Sequence, residues 1–262
     1  MTTRLAAPMV SFVGAGPGDP NLITRKGWQV LGQAEIVLFD ALLDVDGFRQ
    51  SAPSARWIHV GKRAGQLSTT QSFITKSIVN FALRGYRVVR LKGGDPAVFG
   101  RLTEEINACR SADIDVEIIP GVTAASSCAA ELGVSLTQRD VSRSVTFLTP
   151  RTSHSGTSTS EHWVAPALHS DTVVFYMASD DLPEIARTLL AQGKPPQTQL
   201  AVVESASRGV TKRVLSLDEC VRPIPAANGG PVTILMGDVV RLAIDAPARS
   251  SDEDKCFHVG VK

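Results

Sequence analysis

Short β-rich runs alternate with helical patterns in the first half of the chain, and this alternation constrains the fold more than any other feature. The strand patterns are MVSFVG (9–14), EIVLFD (35–40), RVVRLKG (87–93) and VEIIPG (116–121). Apolar residues at helical spacing run from Leu22 to Ala34 and from Gln71 to Arg84. Such alternation is typical of βαβ units, so we expect a mainly parallel N-terminal sheet.

The second half of the chain predicts a mixed sheet. A small-residue helix ends at Gly133, and a second helix is predicted over 181–193. Strand patterns follow at 144–149, 172–177, 200–205, 212–217 and 232–237. Only the polar stretch ASRGVT separates LAVVES from KRVLSL, which favours a hairpin over a crossover.

These patterns predict an α/β protein of two domains. We place an N-terminal domain at 1–119, a C-terminal domain at 120–245 and a flexible tail at 246–262. The Ser/Thr-rich run 152–162 is predicted to be a mobile loop.

Composition argues against several classes of protein. With 27 basic and 26 acidic side chains, no global field attracts nucleic acid or an anionic membrane, so a small-molecule partner is expected. Neither a secretory signal nor a run of ~20 apolar residues is found, so a cytoplasmic location is the default. The cysteines have no C-x-x-C spacing and no histidine pair has the spacing of a zinc helix, so we expect free thiols and no metal. The four cysteines are Cys109, Cys128, Cys220 and Cys256.

Two glycine-rich turns, VGAGPGDP (13–20) and KGGDPAVFG (92–100), follow hydrophobic strands and contain the same Gly-Asp-Pro. Parallel α/β sheets bind ligands at the carboxyl ends of their strands, so we expect the turns to form opposite walls of one cleft. The alternative is that the glycines only permit tight turns.

The first turn also resembles a dinucleotide fingerprint, with Asp40 at the end of the next strand to bind a ribose. Three details argue against phosphate binding. Asp19 takes the place of the third glycine, Pro17 removes a backbone donor, and Pro20 delays the helix. No Lys-Ser/Thr pair follows the glycines, which excludes a nucleoside triphosphate loop.

Six stretches occur in a fixed order: VGAGPGDPNLIT, VLFDALL, VGKRAGQLSTTQ, RLKGGDPAVFGR, PGVTAASSCAAELGVSLTQR and RSVTFLT. Together they resemble the tetrapyrrole methylase family from about Val10 to Val240. The resemblance implies the two-domain tetrapyrrole methylase fold, a homodimer, and S-adenosyl-L-methionine bound in the cleft between the domains. Within the family, the motifs are most similar to those of the enzyme that adds two methyl groups to uroporphyrinogen III. The implied products are precorrin-2, for sirohaem or cobalamin synthesis, and S-adenosyl-L-homocysteine.

Carried over position by position, the resemblance implies catalytic and cofactor-binding residues. Asp40 would accept a proton and Lys62 would donate one; otherwise each is a solvated charge, or the two form an ion pair. No nucleophile motif is present, and none is required for methyl transfer to a pyrrole carbon. The implied cofactor contacts are Pro17, Gly93, Gly94, Asp95, Val98, Thr123, Ala124, Met177, Ala206 and Val232.

The substrate that the resemblance implies carries eight carboxylates, which arginine binds well because its guanidinium is bidentate. As a group, Arg63, Arg101, Arg139 and Arg143 are candidate substrate-binding residues, although any one of them could be an ordinary surface arginine.

The chain also departs from the family pattern. The family commonly has Gly-His after the strand SVTFLT, whereas Pro150 and Arg151 stand here. The chain lacks an N-terminal dehydrogenase and ferrochelatase region, so we expect it to pass precorrin-2 on.

Other functions stay open. The chain could methylate a later precorrin, which FDALL and VGKRAG argue against, or it could methylate a protein or ribosomal RNA, and the near-neutral charge disfavours RNA. A non-catalytic tetrapyrrole- or cofactor-binding protein is a further alternative.

Overall fold

The computed structural model describes residues 9–40, 45–61, 70–150, 161–205, 209–225, 227 and 229–245. These residues form two five-stranded sheets with α-helices packed against them. The strands of the first sheet all precede residue 120, and those of the second sheet all follow it.

The first sheet is parallel throughout and has the order β3-β2-β4-β1-β5. Its strands are β1 Met9–Gly14, β2 Ile36–Phe39, β3 Arg56–His59, β4 Val88–Lys92 and β5 Asp115–Ile119. Its helices are α1 Arg25–Leu31, α2 Val45–Arg49, α3 Gln71–Leu83 and α4 Leu102–Ser111. One apolar core lies between the sheet and α3 and α4, and another lies under α1 and α2. The predicted parallel sheet is confirmed.

The second sheet is mixed, as predicted, and has the order β6-β7-β10-β8-β9. Only β6 and β7 pair in parallel, and β8 and β9 form the predicted antiparallel hairpin. The strands are β6 Val145–Leu148, β7 Thr172–Tyr176, β8 Gln199–Glu204, β9 Thr211–Ser216 and β10 Val232–Gly237. The helices are α5 Ala124–Leu132, α6 Val164–His169, α7 Leu182–Ala191 and α8 Asp238–Asp245.

The helix predicted over 22–34 is shorter in the structure. Pro20–Leu22 forms a separate 3-10 turn, and α1 starts only after Thr24, whose hydroxyl accepts a hydrogen bond from the Gly27 amide at 3.1 Å. The chain must stay extended at the capping residue, so the capping threonine fixes where the helix begins. By contrast, α5 ends at Gly133 as predicted, with a left-handed φ of 70°.

Within the described ranges, no helix is long and apolar enough to cross a membrane, and no group of three or more metal-ligating side chains is found. Cys109, Cys128 and Cys220 are buried free thiols. Cys256, the predicted tail and most of the predicted 152–162 loop lie outside the described residues.

Candidate active site

The two glycine turns lie side by side, because β1 and β4 are neighbours in the parallel sheet. The Gly94 amide donates to the Gly16 carbonyl at 2.7 Å, and the Gly16 amide donates to the Gly94 carbonyl at 3.1 Å. The expectation that the turns form opposite walls of a cleft is therefore wrong. They form one continuous floor.

A third glycine completes this floor. Gly121 follows β5, and a Cβ atom added to it would lie 2.3 Å from the Gly94 carbonyl oxygen and 2.8 Å from the Gly14 Cα. A Cβ at Gly14 would likewise lie 2.6 Å from the Gly121 Cα. The three strand ends approach each other so closely because these positions have no side chain.

The Asp-Pro pairs have a shared structural role. The Asp19 carboxylate accepts the Asn21 amide at 2.8 Å, and the Asp95 carboxylate accepts the Ala97 amide at 2.7 Å, so each aspartate closes a local turn across its proline. The second Asp95 oxygen accepts the Gly121 amide at 3.0 Å. Asp95 thereby joins the second turn to the segment after β5.

The second sheet reaches this floor through Tyr176, the last residue of β7. Its hydroxyl lies 2.6 Å from Thr123 Oγ1 and accepts the Ala125 amide at 3.2 Å, at the N-terminus of α5. Burial raises the pKa of Tyr176. Its ring also packs against Phe99, with 5.1 Å between ring centroids. These contacts join the ends of β7 and α5 to the second glycine turn, and we call the region where they meet the candidate cleft.

Two large apolar residues are exposed beside this contact. Met177 follows Tyr176 with 53% of its surface exposed, and Phe99 is 39% exposed. Both have left-handed backbone conformations, with φ of 54° and 52°. That conformation is rare for bulky residues and is concentrated at ligand sites.

The structure brings most of the predicted cofactor-binding residues to this cleft. Gly93 is exposed there, and a Cβ atom at Gly94 would meet nothing within 4 Å, so their backbone is accessible to a ligand. Val232 begins β10 at the same end of the second sheet, beside Thr233, which pairs with Tyr176. Ala206 lies outside the described residues. The other members of the set in or next to the contacts above are Pro17, Asp95, Val98, Thr123, Ala124 and Met177.

A buried cluster of four charged side chains lies under the carboxyl ends of β2 and β4. Arg90 donates from Nη2 to Asp40 Oδ1 at 2.5 Å and from Nε to Glu105 Oε1 at 3.3 Å. Lys92 Nζ donates to Glu105 Oε2 at 2.8 Å. The Arg90, Lys92 and Glu105 side chains are at most 4% exposed, whereas that of Asp40 is 30% exposed. Asp40 therefore joins the cluster to the surface.

Within the cluster, the pKa values of the two cationic side chains shift in opposite directions. Burial lowers the pKa of Arg90, but the charges of Asp40 and Glu105 outweigh it, so the pKa is raised overall. Burial, reinforced by the positive charge of Arg90, lowers the pKa of Lys92.

Sequence reasoning selected Asp40 but missed the other three members. One signal was available for two of them: Arg90 and Lys92 lie two residues apart in an apolar strand, so they face the same side of the sheet. Lys62, the predicted proton donor, lies outside the described residues, as does Arg63.

The remaining predicted substrate-binding arginines lie in different places. Arg101 follows the second glycine turn and pairs with Glu104 through two bonds of 2.8 and 2.7 Å. Arg139 is exposed, and Arg143 precedes β6, with its amide bonded to Asp171 before β7. Met177 follows the other end of β7. The structure therefore does not bring Arg143 to the cleft.

Comparisons with known proteins agree with this architecture. The family model for tetrapyrrole (corrin/porphyrin) methylases matches residues 9–218. The S-adenosyl-L-methionine-dependent uroporphyrinogen III methyltransferase of Arabidopsis thaliana, described as chloroplastic, is 41% identical over 89% of this chain and 64% of its own length. The uroporphyrinogen-III C-methyltransferase of Cyanidium caldarium is 35% identical over 93% of this chain and 98% of its own.

A solved structure is also similar. It is the uroporphyrin-III C-methyl transferase of Thermus thermophilus, complexed with S-adenyl homocysteine. The match has a TM-score of 0.74 and 31% identity, and it covers 89% of this chain and 99% of that one. The chain spans less than two thirds of the Arabidopsis relative and about half of the siroheme synthases that it also matches.

Proposed function

Because the chain belongs to the tetrapyrrole methylase family, we propose that it methylates uroporphyrinogen III at two carbons and releases precorrin-2. The single observation that carries the proposal is the cleft at which the glycine floor, the N-terminus of α5 and Met177 converge. A cofactor with an adenosine group and a sulfur centre fits such a surface, because it needs close backbone approach and a polarisable apolar contact. The names of the relatives support the same substrate and methyl donor.

S-adenosyl-L-methionine would supply, when bound, a methyl group on a positively charged sulfur. The chain's own residues would hold it against the open side of Gly93 and Gly94, through Thr123 and Ala124, and against Met177. Pro17, Asp95, Val98, Ala206 and Val232 complete the proposed contact set. Asp95 already accepts two backbone amides, so its main contribution is to fix the shape of the floor.

The proposed reaction also requires proton transfer. A pyrrole carbon would bond to the methyl group as the carbon–sulfur bond breaks, and the macrocycle, left with a positive charge, would lose one proton. We assign acceptance of that proton to Asp40, and we assign to Lys62 the donation of a proton to a ring carbon when the methylated macrocycle tautomerises, a step that moves a proton within the ring without changing its charge. Arg90 engages Asp40 Oδ1, so Oδ2 is the oxygen assigned to the substrate. Burial raises the pKa of Cys109 to about 11 and that of Cys128 to about 12, so neither of these two thiols is a thiolate nucleophile at neutral pH.

We assign recognition of the substrate carboxylates to Arg63 and Arg101. Arg101 is half-exposed, and its partner Glu104 is equally accessible, so a substrate carboxylate can compete for the guanidinium. A charge-assisted hydrogen bond contributes about 1.5 to 3 kcal/mol. Arg139 and Arg143 do not enter this assignment. Gln138 pairs with Ser142 across the turn that holds Arg139, and Ser142 and Arg143 bond to Thr172 and Asp171, at the opposite end of β7 from Met177.

Four further points are proposals. We expect the product to be used for sirohaem or cobalamin, and we expect a homodimer, which light scattering would test. A cytoplasmic location stays a prediction. The domain limits of 1–119 and 120–245, with the tail at 246–262, are likewise proposed.

The proposal is tested by incubating the chain anaerobically with uroporphyrinogen III and S-adenosyl-L-methionine and weighing the tetrapyrrole by mass spectrometry. Gain of two methyl groups is expected. If the tetrapyrrole gains no mass while S-adenosyl-L-homocysteine binds, the substrate assignment is wrong. A later precorrin would then be tried as the substrate.

A further inference from the structure

We infer that Glu105 is a positioning residue for Asp40, which it holds in its reactive orientation through Arg90. The inference rests on the proposed function, in which Asp40 accepts the substrate proton. It assigns a role to a buried side chain of α4 that is placed to touch neither the substrate nor the cofactor.

Glu105 lies where α4, β4 and α3 meet. Its side chain is 1% exposed, and its two oxygens accept from Arg90 Nε at 3.3 Å, Lys92 Nζ at 2.8 Å and Gln71 Nε2 at 3.1 Å. The donors come from β4 and from the first residue of α3. A carboxylate held by three donors in a closed site has one orientation, so it can serve as a fixed anchor.

Arg90 transmits this fixed orientation to Asp40. Beyond its bonds to Glu105 and Asp40, its Nη1 donates to the carbonyl oxygens of Leu38 and Leu91 at 3.3 and 3.0 Å. Every nitrogen of the planar guanidinium therefore has a partner. Among these four charged side chains, Asp40 alone has appreciable exposure, so the buried guanidinium plane beside it determines the orientation of its carboxylate.

The negative charge of Glu105 is also needed to balance the charges of the cluster. Arg90 and Lys92 supply two positive charges, and Asp40 and Glu105 supply two negative ones. Without the charge of Glu105, both buried cations would compete for Asp40 and draw its carboxylate inward, away from the substrate.

Other charged and titratable groups near the cluster cannot take over from Glu105. Arg101 and Glu104 act on it electrostatically, but their side chains are more than half exposed and pair with each other. The Cys109 thiol, whose pKa is raised to about 11 by burial, is neutral at physiological pH.

The test is Glu105→Gln, which keeps the shape of the side chain and removes its charge. We expect kcat to fall by about tenfold to a hundredfold, as for a misplaced catalytic group. We expect KM for S-adenosyl-L-methionine and Kd for S-adenosyl-L-homocysteine to change by less than about threefold, because the glycine floor is untouched. Glu184→Gln is the matched control: Glu184 also lies on a helix and pairs with an arginine, Arg187, but its side chain is 70% exposed. Its kcat should not change.

A second variant keeps the test decisive if Glu105→Gln folds poorly. Glu105→Gln combined with Lys92→Met removes one charge of each sign and leaves the Arg90–Asp40 pair neutral. We expect this double variant to recover most of the lost kcat. The inference is overturned by unchanged kcat in Glu105→Gln, or by a double variant that folds and binds the cofactor product but recovers no activity.

Different results would contradict the proposed function and the role of Glu105. If the unmodified chain does not methylate uroporphyrinogen III, the proposed function fails. If it does, and Asp40→Asn keeps full turnover while Glu105→Gln loses it, the coupling of Glu105 to Asp40 is wrong although the function stands.

Discussion

Replacing Gly121 by alanine would test whether the glycine floor shapes the cofactor site. The added Cβ atom would lie 2.3 Å from the Gly94 carbonyl oxygen, whereas ordinary contacts are 3.4–4 Å. Because the atoms that it meets belong to the backbone of Gly94 and Gly14, no side chain can rotate away. The second glycine turn must therefore move by about 1 Å.

We expect Gly121→Ala to lower both the stability of the protein and its affinity for the cofactor product. Overpacking of this kind costs about 1–3 kcal/mol, and the reduced freedom of the unfolded chain returns about 0.4–1 kcal/mol, so we expect a net loss of about 1–2 kcal/mol. A shift of about 1 Å can lower the rate of an enzyme by about a hundredfold. We therefore expect the Kd for S-adenosyl-L-homocysteine to rise by about tenfold or more.

Calorimetric titration with S-adenosyl-L-homocysteine and urea unfolding would measure the two effects. Gly193→Ala is the control, because Gly193 follows α7 with φ of 87° and its added Cβ would meet nothing within 4 Å. It should lose about 1 kcal/mol to backbone strain and no affinity. If Gly121→Ala keeps both wild-type affinity and wild-type stability, the close packing of the three strand ends does not define the site.

Further predictions concern catalysis, pH and thiol reactivity. Asp40→Asn and Lys62→Met should each lower kcat more than they weaken cofactor binding, and unchanged rates for both in a steady-state assay would remove them from the mechanism. Hydrogen bonds from the Arg143 and Ser144 amides and the Ser144 hydroxyl lower the pKa of Asp171 in the folded protein. The Asp171 carboxylate therefore stabilises the fold at pH values above the pKa of an unfolded aspartate, about 3.9. This stabilisation is lost as the pH falls through the lower pKa of the folded state. Urea unfolding should show Asp171→Asn to be less stable than the unmodified chain at pH 7, with a difference that shrinks in acid; a difference independent of pH would contradict this. Iodoacetamide should leave the three buried cysteines unmodified at pH 7 until denaturant is added, as peptide mass mapping would show, and rapid native labelling would refute their burial.

The sheets were predictable because their signals are local. Apolar runs of four to six residues specify β1, β2 and β4, and the segments between them have apolar residues at helical spacing. A short polar connection specifies the β8–β9 hairpin. The start of α1 was missed because a capping threonine, Thr24, competes with the apolar periodicity and sets the first helical residue.

The site was predicted less completely because it depends on contacts between distant segments. The glycine turns were found, but their side-by-side placement follows from the strand order, in which β4 lies next to β1. Glu105 was missed because nothing in its local sequence marks it as buried, and only the packing of α4 over β4 places it against Arg90 and Lys92. Arg143 is predicted on charge alone, whereas its place follows from the parallel pairing of β6 with β7, which puts it beside Asp171 at the opposite end of β7 from Met177.

The most direct test of the central claim is to count and locate transferred methyl groups. The chain would be incubated anaerobically with uroporphyrinogen III and S-adenosyl-L-methionine carrying a carbon-13 methyl group, and the tetrapyrrole would be examined by NMR. We expect two labelled methyl groups per macrocycle, both bonded to ring carbons. Label on carboxylate oxygens, or no label on the tetrapyrrole, would contradict it.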